Sequence, residues 1–188
     1  MKLHKCTSQD GYRPDLTHVY IDEKNIVATN VHVIVCIPKT HIEGMENLPK
    51  MFIKSKDWAK LIPFGKKFFI QYENGFLVSY VYQKVGRNSV KVIADKNIHS
   101  IIKPILQEFS DMKFPNYEAV FYSTTEKPVE LSEIGLSLRK INQIKEGMGC
   151  NNVSLTFYGK ERAMIIKPIP SEDLDGRIGL LMPVLLTI

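Results

Sequence analysis

The stretch that decides the fold lies near the end of the sequence: Gly179-Leu180-Leu181-Met182-Pro183-Val184-Leu185-Leu186. It is apolar and uncharged, which predicts a core strand that closes a sheet. Pro183 cannot donate a hydrogen bond to a neighbouring strand, so it belongs at an edge or a bulge, where a strand can turn one face outward. The stretch therefore has two interpretations, a core strand or, around Met182-Pro183-Val184, one wall of an apolar groove.

Composition limits the class of protein. The 188 residues are 44% hydrophobic and 24% charged, as in an ordinary globular protein. No apolar run approaches the roughly 20 residues of a membrane span, and the N-terminus lacks the apolar core of a signal peptide. We therefore expect a cytoplasmic protein without a membrane partner. The isolated Cys6, Cys36 and Cys150 predict neither a disulfide framework nor a zinc site, and the formal net charge of +5 favours an anionic partner.

Local patterns are typical of a mixed α+β protein. We interpret residues 1–16 as a lead-in segment and residues 17–188 as one domain, with approximate halves 17–123 and 124–188. Alternating and β-branched runs predict strands and hairpins. These span residues 17–21, 25–29, 31–37, 52–54, 66–82 (a hairpin around Asn74-Gly75), 89–93, 153–158 and 163–167.

Two helices are predicted from their start signals. Ser55 and Ser137 are good N-caps, and apolar residues follow each of them at helical spacing. The order strand, capped helix, hairpin thus occurs twice, at about 51–82 and 133–167. This repetition predicts an internally duplicated α+β domain.

A third helix is predicted over residues 95–109. Five apolar residues lie there at helical spacing, namely Ile98, Ile101, Ile102, Ile105 and Phe109. Pro104 removes a hydrogen bond and crowds the preceding turn, so we expect it to kink the helix or to delay its start.

Three segments resemble the bacterial sliding clamp, the β subunit of the replicative DNA polymerase. Val27-Ala28-Thr29-Asn30-Val31-His32-Val33-Ile34 resembles the family's V-A-T-D-G-H-R-L, and Phe114-Pro115-Asn116-Tyr117-Glu118-Ala119-Val120 resembles its F-P-D-Y-x-x-V. Glu133-Ile134-Gly135 through Leu181-Met182-Pro183-Val184 follows the close of the clamp's last domain, so the resemblance covers about residues 17–186. It implies a DNA-clamp-like α+β fold with antiparallel sheets and helices packed on one face.

The sequence also departs from that family. A clamp subunit has three domains, whereas here the first has no counterpart and the chain passes from the F-P-N-Y segment almost directly to the second half of the last domain. Asn30, Val31 and Val33 replace the Asp, Gly and Arg of the first motif. We therefore expect a condensed clamp-like protein, and ring formation does not follow from the resemblance.

The resemblance implies a groove that binds short peptides of polymerases and clamp-loader-type proteins. Carried over position by position, its lining is Ile34, Pro115, Val120, Leu180, Met182, Pro183 and Val184. Apolar walls with an adaptable methionine can accept a hydrophobic side chain. The alternative is that these seven residues belong to the core.

The resemblance also implies basic helices that face the phosphates of double-stranded DNA without reading its sequence. The candidate residues are Lys54, Lys56, Lys60, Lys103, Arg139, Lys140 and Lys145, with further basic residues at Lys66, Lys67, Lys84, Arg87, Lys91 and Lys96. The alternative for all of them is a solvated surface. Tyr72, Tyr80 and Tyr82 could be stacking platforms for bases, but cross-strand packing is the commoner role of aromatic residues in a hairpin.

Catalysis has little support in the sequence. It contains no nucleophile elbow, P-loop, H-E-x-x-H or dinucleotide fingerprint, and its five histidines lack ligand-like spacing. We therefore assign no catalytic residue, no metal ligand and no cofactor.

Three functions remain, in decreasing order of support. The first is a non-enzymatic clamp-like processivity factor of DNA replication or repair, expected to be a homo-oligomer. The second is a clamp-derived module that binds proteins only, without a ring or DNA. The third is a small hydrolase with an unrecognised site.

Overall fold

The computed structural model describes residues 1–82, 97–122, 127–131, 133–169 and 176–184. The strands are β1 (His18–Ile21), β2 (Asn25–Thr29), β3 (Val33–Pro38), β4 (Met51–Lys54), β5 (Phe68–Glu73), β6 (Phe76–Val81), β7 (Ile98–Ile102), β8 (Ile105–Leu106), β9 (Val153–Thr156), β10 (Met164–Pro168) and β11 (Ile178–Leu181). The α-helices are α1 (Ser55–Leu61), α2 (Tyr117–Tyr122) and α3 (Leu138–Met148). Short 3-10 helices span Leu3–Lys5, Pro14–Thr17, Lys39–His41 and Gln107–Phe109.

The strands form two antiparallel sheets. The large sheet has eight strands in the order β8-β4-β1-β2-β3-β11-β10-β9, and the small sheet has the order β5-β6-β7. β11 lies inside the large sheet, where Leu180 is directly opposite Ile34 of β3. The predicted core strand is therefore confirmed for Ile178–Leu181. The chain continues beyond the strand, and the amide of Val184 donates to the carbonyl of Gly135 at 2.9 Å.

The large sheet has an inner face and an outer face. The inner face packs against α1, α3 and the small sheet, and this core contains the fully buried Trp58, Leu61, Ile144 and Met148. The outer face carries a smaller apolar cluster with α2. This layered α+β arrangement confirms the predicted fold class. None of the helices in the described ranges has the length and apolar character needed to cross a bilayer.

One of the two predicted helix caps is confirmed. The hydroxyl of Ser137 accepts a hydrogen bond from the amide of Lys140, and α3 ends at Gly149, which has the left-handed φ of 72°. The prediction for Ser55 is wrong, because Ser55 is already the first residue of α1 and Lys54 precedes it without a side-chain cap. The Ser55 hydroxyl instead donates to the carbonyl of His4 at 3.2 Å, which ties the N-terminal segment to α1.

The predicted helix over residues 95–109 is also wrong within the described residues. The chain forms β7, a break at Pro104 and then the two-residue strand β8. The β-branched Ile98, Ile101 and Ile102 favour a strand, and β6 offers β7 a partner edge along which Leu77 pairs with Ile102. Sheet pairing thus overrides a helical spacing that proline already weakened. The strand predicted at 89–93 lies outside the described residues.

The predicted duplication holds in element order. β4, α1 and the β5–β6 hairpin are followed later by a bridge at Gly135, α3 and the β9–β10 hairpin. The two hairpins belong to different sheets. The β9–β10 hairpin extends the large sheet, whereas the β5–β6 hairpin joins β7 in the small sheet.

The N-terminal segment is part of the core. Its first 3-10 helix contacts both α1 and α3, and Leu3 and Cys6 are completely buried. Lys2 and Lys5 donate to the two carboxylate oxygens of Glu146 on α3, at 2.9 and 2.5 Å. The segment therefore connects the two helices by apolar packing and by a shared carboxylate.

The turn between β2 and β3 is strained at Val31. Its φ of 76° lies in the left-handed region, which a β-branched residue rarely adopts. Asn30 stabilises the turn, because its side-chain oxygen accepts from the amides of His32 and Val33 at 3.2 and 3.1 Å. The clamp motif that this stretch resembles has glycine at this position.

Val31→Gly is expected to stabilise the protein by up to about 1.5 kcal/mol. It removes a left-handed penalty of about 1–2 kcal/mol and adds a glycine entropy cost of about 0.5–1 kcal/mol. Urea unfolding followed by circular dichroism measures the change. Val31→Ala is the control because it keeps Cβ, and the explanation by strain fails if both variants destabilise equally.

Glu146→Gln is expected to lower the free energy of unfolding by less than about 1 kcal/mol near neutral pH, since both lysines are partly exposed. Hydrogen bonds from Lys5 and Lys2 lower the pKa of Glu146 to about 2. Because this pKa lies below its unfolded value, the stabilisation is present above about pH 5 and disappears as the pH falls towards 2.

Urea unfolding of both proteins at several pH values tests this dependence. Glu133→Gln, which removes another exposed carboxylate, is the control. A difference between the wild type and Glu146→Gln that stays constant down to pH 2 would contradict the role of the ion pairs.

Candidate functional site

The outer face of the large sheet brings together two of the residues predicted to line a groove. Ile34 is half-buried, and the buried Leu180 is its direct partner on β11. Their sequence neighbours Val33 and Leu181 belong to the inner core, so side-chain alternation places Ile34 and Leu180 on the opposite face. Ile34 packs there in the small cluster that includes residues of α2.

Tyr117 attaches α2 to this face. Its hydroxyl donates a short hydrogen bond to the carboxylate of Asp22 and accepts one from the side-chain amide of Asn25 at 3.1 Å. Burial raises the pKa of Tyr117, and the hydrogen bond to Asp22 raises it further. The hydroxyl therefore stays protonated, and it fixes the start of α2 at the β1–β2 turn.

An exposed apolar patch continues from this face beyond the end of β11. Met182 and Val184 are 40% and 45% exposed. The amide of Met182 donates to the carbonyl of His32 at 3.1 Å, and His32 directly follows Val31, which is 58% exposed. We call Val31, Met182 and Val184 the outer patch. Pro183 between them is half-buried.

Val31, an exposed residue of the outer patch, was not among the residues predicted to line a groove. The sequence did contain a sign of its exposure. Val31 is an apolar, β-branched residue next to Asn30, at a turn position where polar residues and glycine are favoured.

The two other predicted groove residues lie on or next to α2. Val120 is exposed on the helix. Pro115 is exposed and lines a depression of about 350 Å³ with Asp22, Lys50 and Tyr117. Tyr117, two residues after Pro115, bonds to Asn25 at one end of β2, whereas Ile34 pairs with Thr29 at the other end of that strand.

A basic surface lies on the solvent-facing side of α1 and α3, the helices that cover the inner face of the large sheet. Lys56 and Lys60 on α1 and Arg139 on α3 are exposed, whereas Lys140 and Lys145 are half-exposed on the flanks of α3. Lys2 and Lys5, which were not among the predicted basic residues, lie between the two helices. The sequence pattern that could have predicted them is the helical spacing of this segment. Apolar Leu3 and Cys6 lie three residues apart, and so do Lys2 and Lys5.

Carboxylates neutralise part of this basic surface. Glu146 pairs with Lys2 and Lys5, and Asp57 lies 3.6 Å from the ammonium of Lys60. Arg139, Lys140 and Lys145 form none of the ion pairs found in the described part of the chain.

The other basic residues lie elsewhere. Lys54 and Lys103, both exposed, line a separate depression beside β8. Lys66 and Lys67 are exposed in the segment between α1 and β5. Lys84, Arg87, Lys91 and Lys96 are outside the described residues.

The hairpin tyrosines favour the packing interpretation. Tyr80 stacks on Phe69 with ring centroids 4.9 Å apart, and Tyr82 lies 5.3 Å from the same ring.

The described residues contain no group of three histidine, cysteine or carboxylate side chains that could hold a metal ion. The chemistry of the site is therefore that of two surfaces, one apolar and one basic.

No protein-family model matches the sequence, and neither does any curated protein. Solved structures do match. The sliding clamp of Bacillus subtilis is 13% identical, with 99% of this chain and 61% of that chain covered and a TM-score of 0.53. The clamp of Bartonella birtlesii bound to griselimycin is 14% identical, with 98% and 64% covered and a TM-score of 0.56. The Helicobacter pylori β clamp bound to a DNA ligase peptide is 11% identical, with 98% and 62% covered and a TM-score of 0.61.

These matches cover nearly all of this chain but less than two thirds of each clamp chain. At such low identity the likeness concerns the fold, which is the one that the three sequence motifs predicted. The chain thus has the fold of the bacterial sliding clamp, the β subunit of DNA polymerase III, over somewhat more than six tenths of the length of a clamp chain.

Proposed function

We propose that this chain is a cytoplasmic, non-catalytic clamp-like accessory protein of DNA replication or repair, which holds partner proteins on duplex DNA. The observation that carries the proposal is the placement of two surfaces on opposite sides of one sheet. Exposed cations lie on α1 and α3 at the inner side, and the apolar outer patch follows β11 at the outer side. A protein that links DNA to a partner needs two such separate surfaces.

The proposed DNA contacts are the basic residues of the two inner helices, namely Lys56, Lys60, Arg139, Lys140 and Lys145. Cations that reach solvent in this way bind phosphates and read no base sequence. Lys2 and Lys5 add to the same surface between the helices. One chain has too few helices to surround a duplex, so we propose that a homo-oligomer does so.

The proposed partner site is the outer patch together with Ile34, Leu180, Pro183 and Val120. Exposed methionine adapts to different apolar side chains, and the paired strands below it provide a rigid floor. We propose that short peptide motifs of polymerase or clamp-loader-type proteins bind here. The Helicobacter pylori clamp, which has the same fold, was solved with a DNA ligase peptide. Pro115, two residues before α2, would contact a peptide that extends along this helix.

A second candidate function is a protein-interaction module without DNA binding. The observation in its favour is that Glu146 and Asp57 already neutralise three lysines of the inner surface.

The first experiment measures the affinity for a labelled DNA duplex as a function of salt. We expect steep salt dependence, with a log–log slope that falls by about 0.9 for each phosphate contact removed. Lys56→Glu, Lys60→Glu, Arg139→Glu and Lys140→Glu combined should abolish binding. The matched control reverses four exposed lysines elsewhere, Lys113, Lys127, Lys160 and Lys167.

The outcomes separate the two functions. If the wild type binds no duplex even at low salt, the DNA role fails and the protein-only module is favoured. Light scattering of the same samples gives the solution mass, and a monomer at every concentration excludes an autonomous ring.

The second experiment tests the partner site with the DNA ligase peptide as a fluorescent probe. Met182→Ala is expected to weaken binding by about 1–2 kcal/mol, roughly 5- to 30-fold, if Met182 is a central contact. Ile101→Ala is the control, because Ile101 is a similarly exposed apolar residue (56%) on the small sheet. Equal effects of the two substitutions would refute the outer patch as the peptide site.

A further inference from the structure

A second apolar depression lies beside β8, on the border between the two sheets. Its volume is about 600 Å³, and we call it the β8 groove. It is lined by Lys54, Asp57, Tyr72, Gly75, Lys103, Pro104, Ile105, Leu106 and Phe109. None of these residues belongs to the outer patch or to the five proposed DNA contacts on α1 and α3.

The apolar side chains of the β8 groove are available to a ligand. Phe109 is 79% exposed, although it is one of the largest apolar side chains in the chain. Ile105 and Leu106 are only half-buried, and the space next to Gly75 is open. Exposed aromatic surface beside an open apolar depression is typical of a binding site.

The backbone of β8 can accept another strand. β8 is the end strand of the large sheet. The amide of Gln107 donates to the carbonyl of Lys50 at 3.1 Å, so these two residues form a hydrogen-bonded antiparallel pair. Such pairs alternate along a ladder, which means that the N–H of Leu106 points away from β4. The C=O of Leu106, the cap residue of the 3-10 helix Gln107–Phe109, accepts the first hydrogen bond of that helix. An extended peptide could therefore accept a hydrogen bond from the Leu106 N–H on this open side.

The charge of the groove selects the class of peptide. Lys54 and Lys103 are both exposed, and neither forms an ion pair with a described residue. Asp57 also lines the groove, but Lys60 already holds its carboxylate. Two free ammonium groups beside an apolar floor fit a peptide in which carboxylates flank a bulky apolar residue.

We propose that the β8 groove binds an extended acidic peptide of a partner protein, which adds a strand to β8 and inserts one bulky apolar side chain beside Phe109. The acidic side chains of this peptide would pair with Lys54 and Lys103. This site is additional to the outer patch and does not depend on DNA binding or on ring formation.

The test uses fluorescence polarisation with four labelled probes. The first is a short peptide with Phe-Leu flanked by Asp and Glu residues. The second has alanine in place of Phe-Leu, the third has lysine in place of the acidic residues, and the fourth is a short oligothymidylate. We expect the wild type to bind the first peptide and to bind the second and third at least about tenfold more weakly.

Three variants locate the binding site. Lys54→Glu and Lys103→Glu should each weaken binding of the first peptide about tenfold, whereas Lys160→Glu, a charge reversal at an exposed turn far along the chain, should leave it unchanged. Leu106→Pro removes an N–H that points away from β4, so it should block strand addition, although it also removes a side chain that packs against the main core. If that variant unfolds by circular dichroism, the two lysine variants still decide the question.

Two results would overturn the proposal. One is binding of the acidic peptide that is insensitive to Lys54→Glu and Lys103→Glu. The other is binding of oligothymidylate but not of the acidic peptide, lost in the same two variants, which would assign the groove to nucleic acid.

Discussion

The structure depends on the antiparallel pairing of β3 with β11, which joins the first half of the chain to its end. Four consecutive residue pairs connect the two strands, including Leu180 with Ile34. The helix above them comes very close, since a Cβ on Gly179 would lie 2.5 Å from a methyl group of Ile144 on α3. A second glycine, Gly147 of α3, approaches Cys6 and Val35 in the same way. Because Gly147 and Gly179 have no side chains, α3 can approach the sheet this closely.

This close packing relates the two functional surfaces to each other. α3 carries exposed cations on one side of the sheet, and β11 leads directly into the outer patch on the other. Both surfaces are therefore supported by the same pair of strands, without a flexible linker between them. The N-terminal segment strengthens the inner side, because Glu146 holds Lys2 and Lys5 against α3. A DNA surface and a partner surface built in this way would keep a fixed orientation.

Sequence reasoning succeeded where a local signal and the tertiary structure agreed. The Ser137 cap, the Asn74-Gly75 hairpin and the terminal core strand are such cases. It failed where a distant partner decided the outcome. β7 is a strand because β6 offers it an edge, and Ser55 bonds to His4 and Thr7 across a separation that no local pattern encodes. The same limit applies to the site, since no local pattern predicts that Pro115 lines a depression together with Asp22, which is distant in sequence.

The strained turn at Val31 bears on why the outer patch is exposed. A glycine at this position, as in the resembling clamp motif, would adopt the left-handed backbone without cost but would offer no apolar surface. Valine there costs conformational energy and exposes a branched side chain next to His32, whose carbonyl accepts the hydrogen bond from Met182. Strain of this kind persists when the surrounding structure determines the backbone, here through the two hydrogen bonds that Asn30 accepts. The combination of backbone strain and exposed apolar surface at one turn is typical of a functional site, and it supports the outer patch as the place where a partner binds.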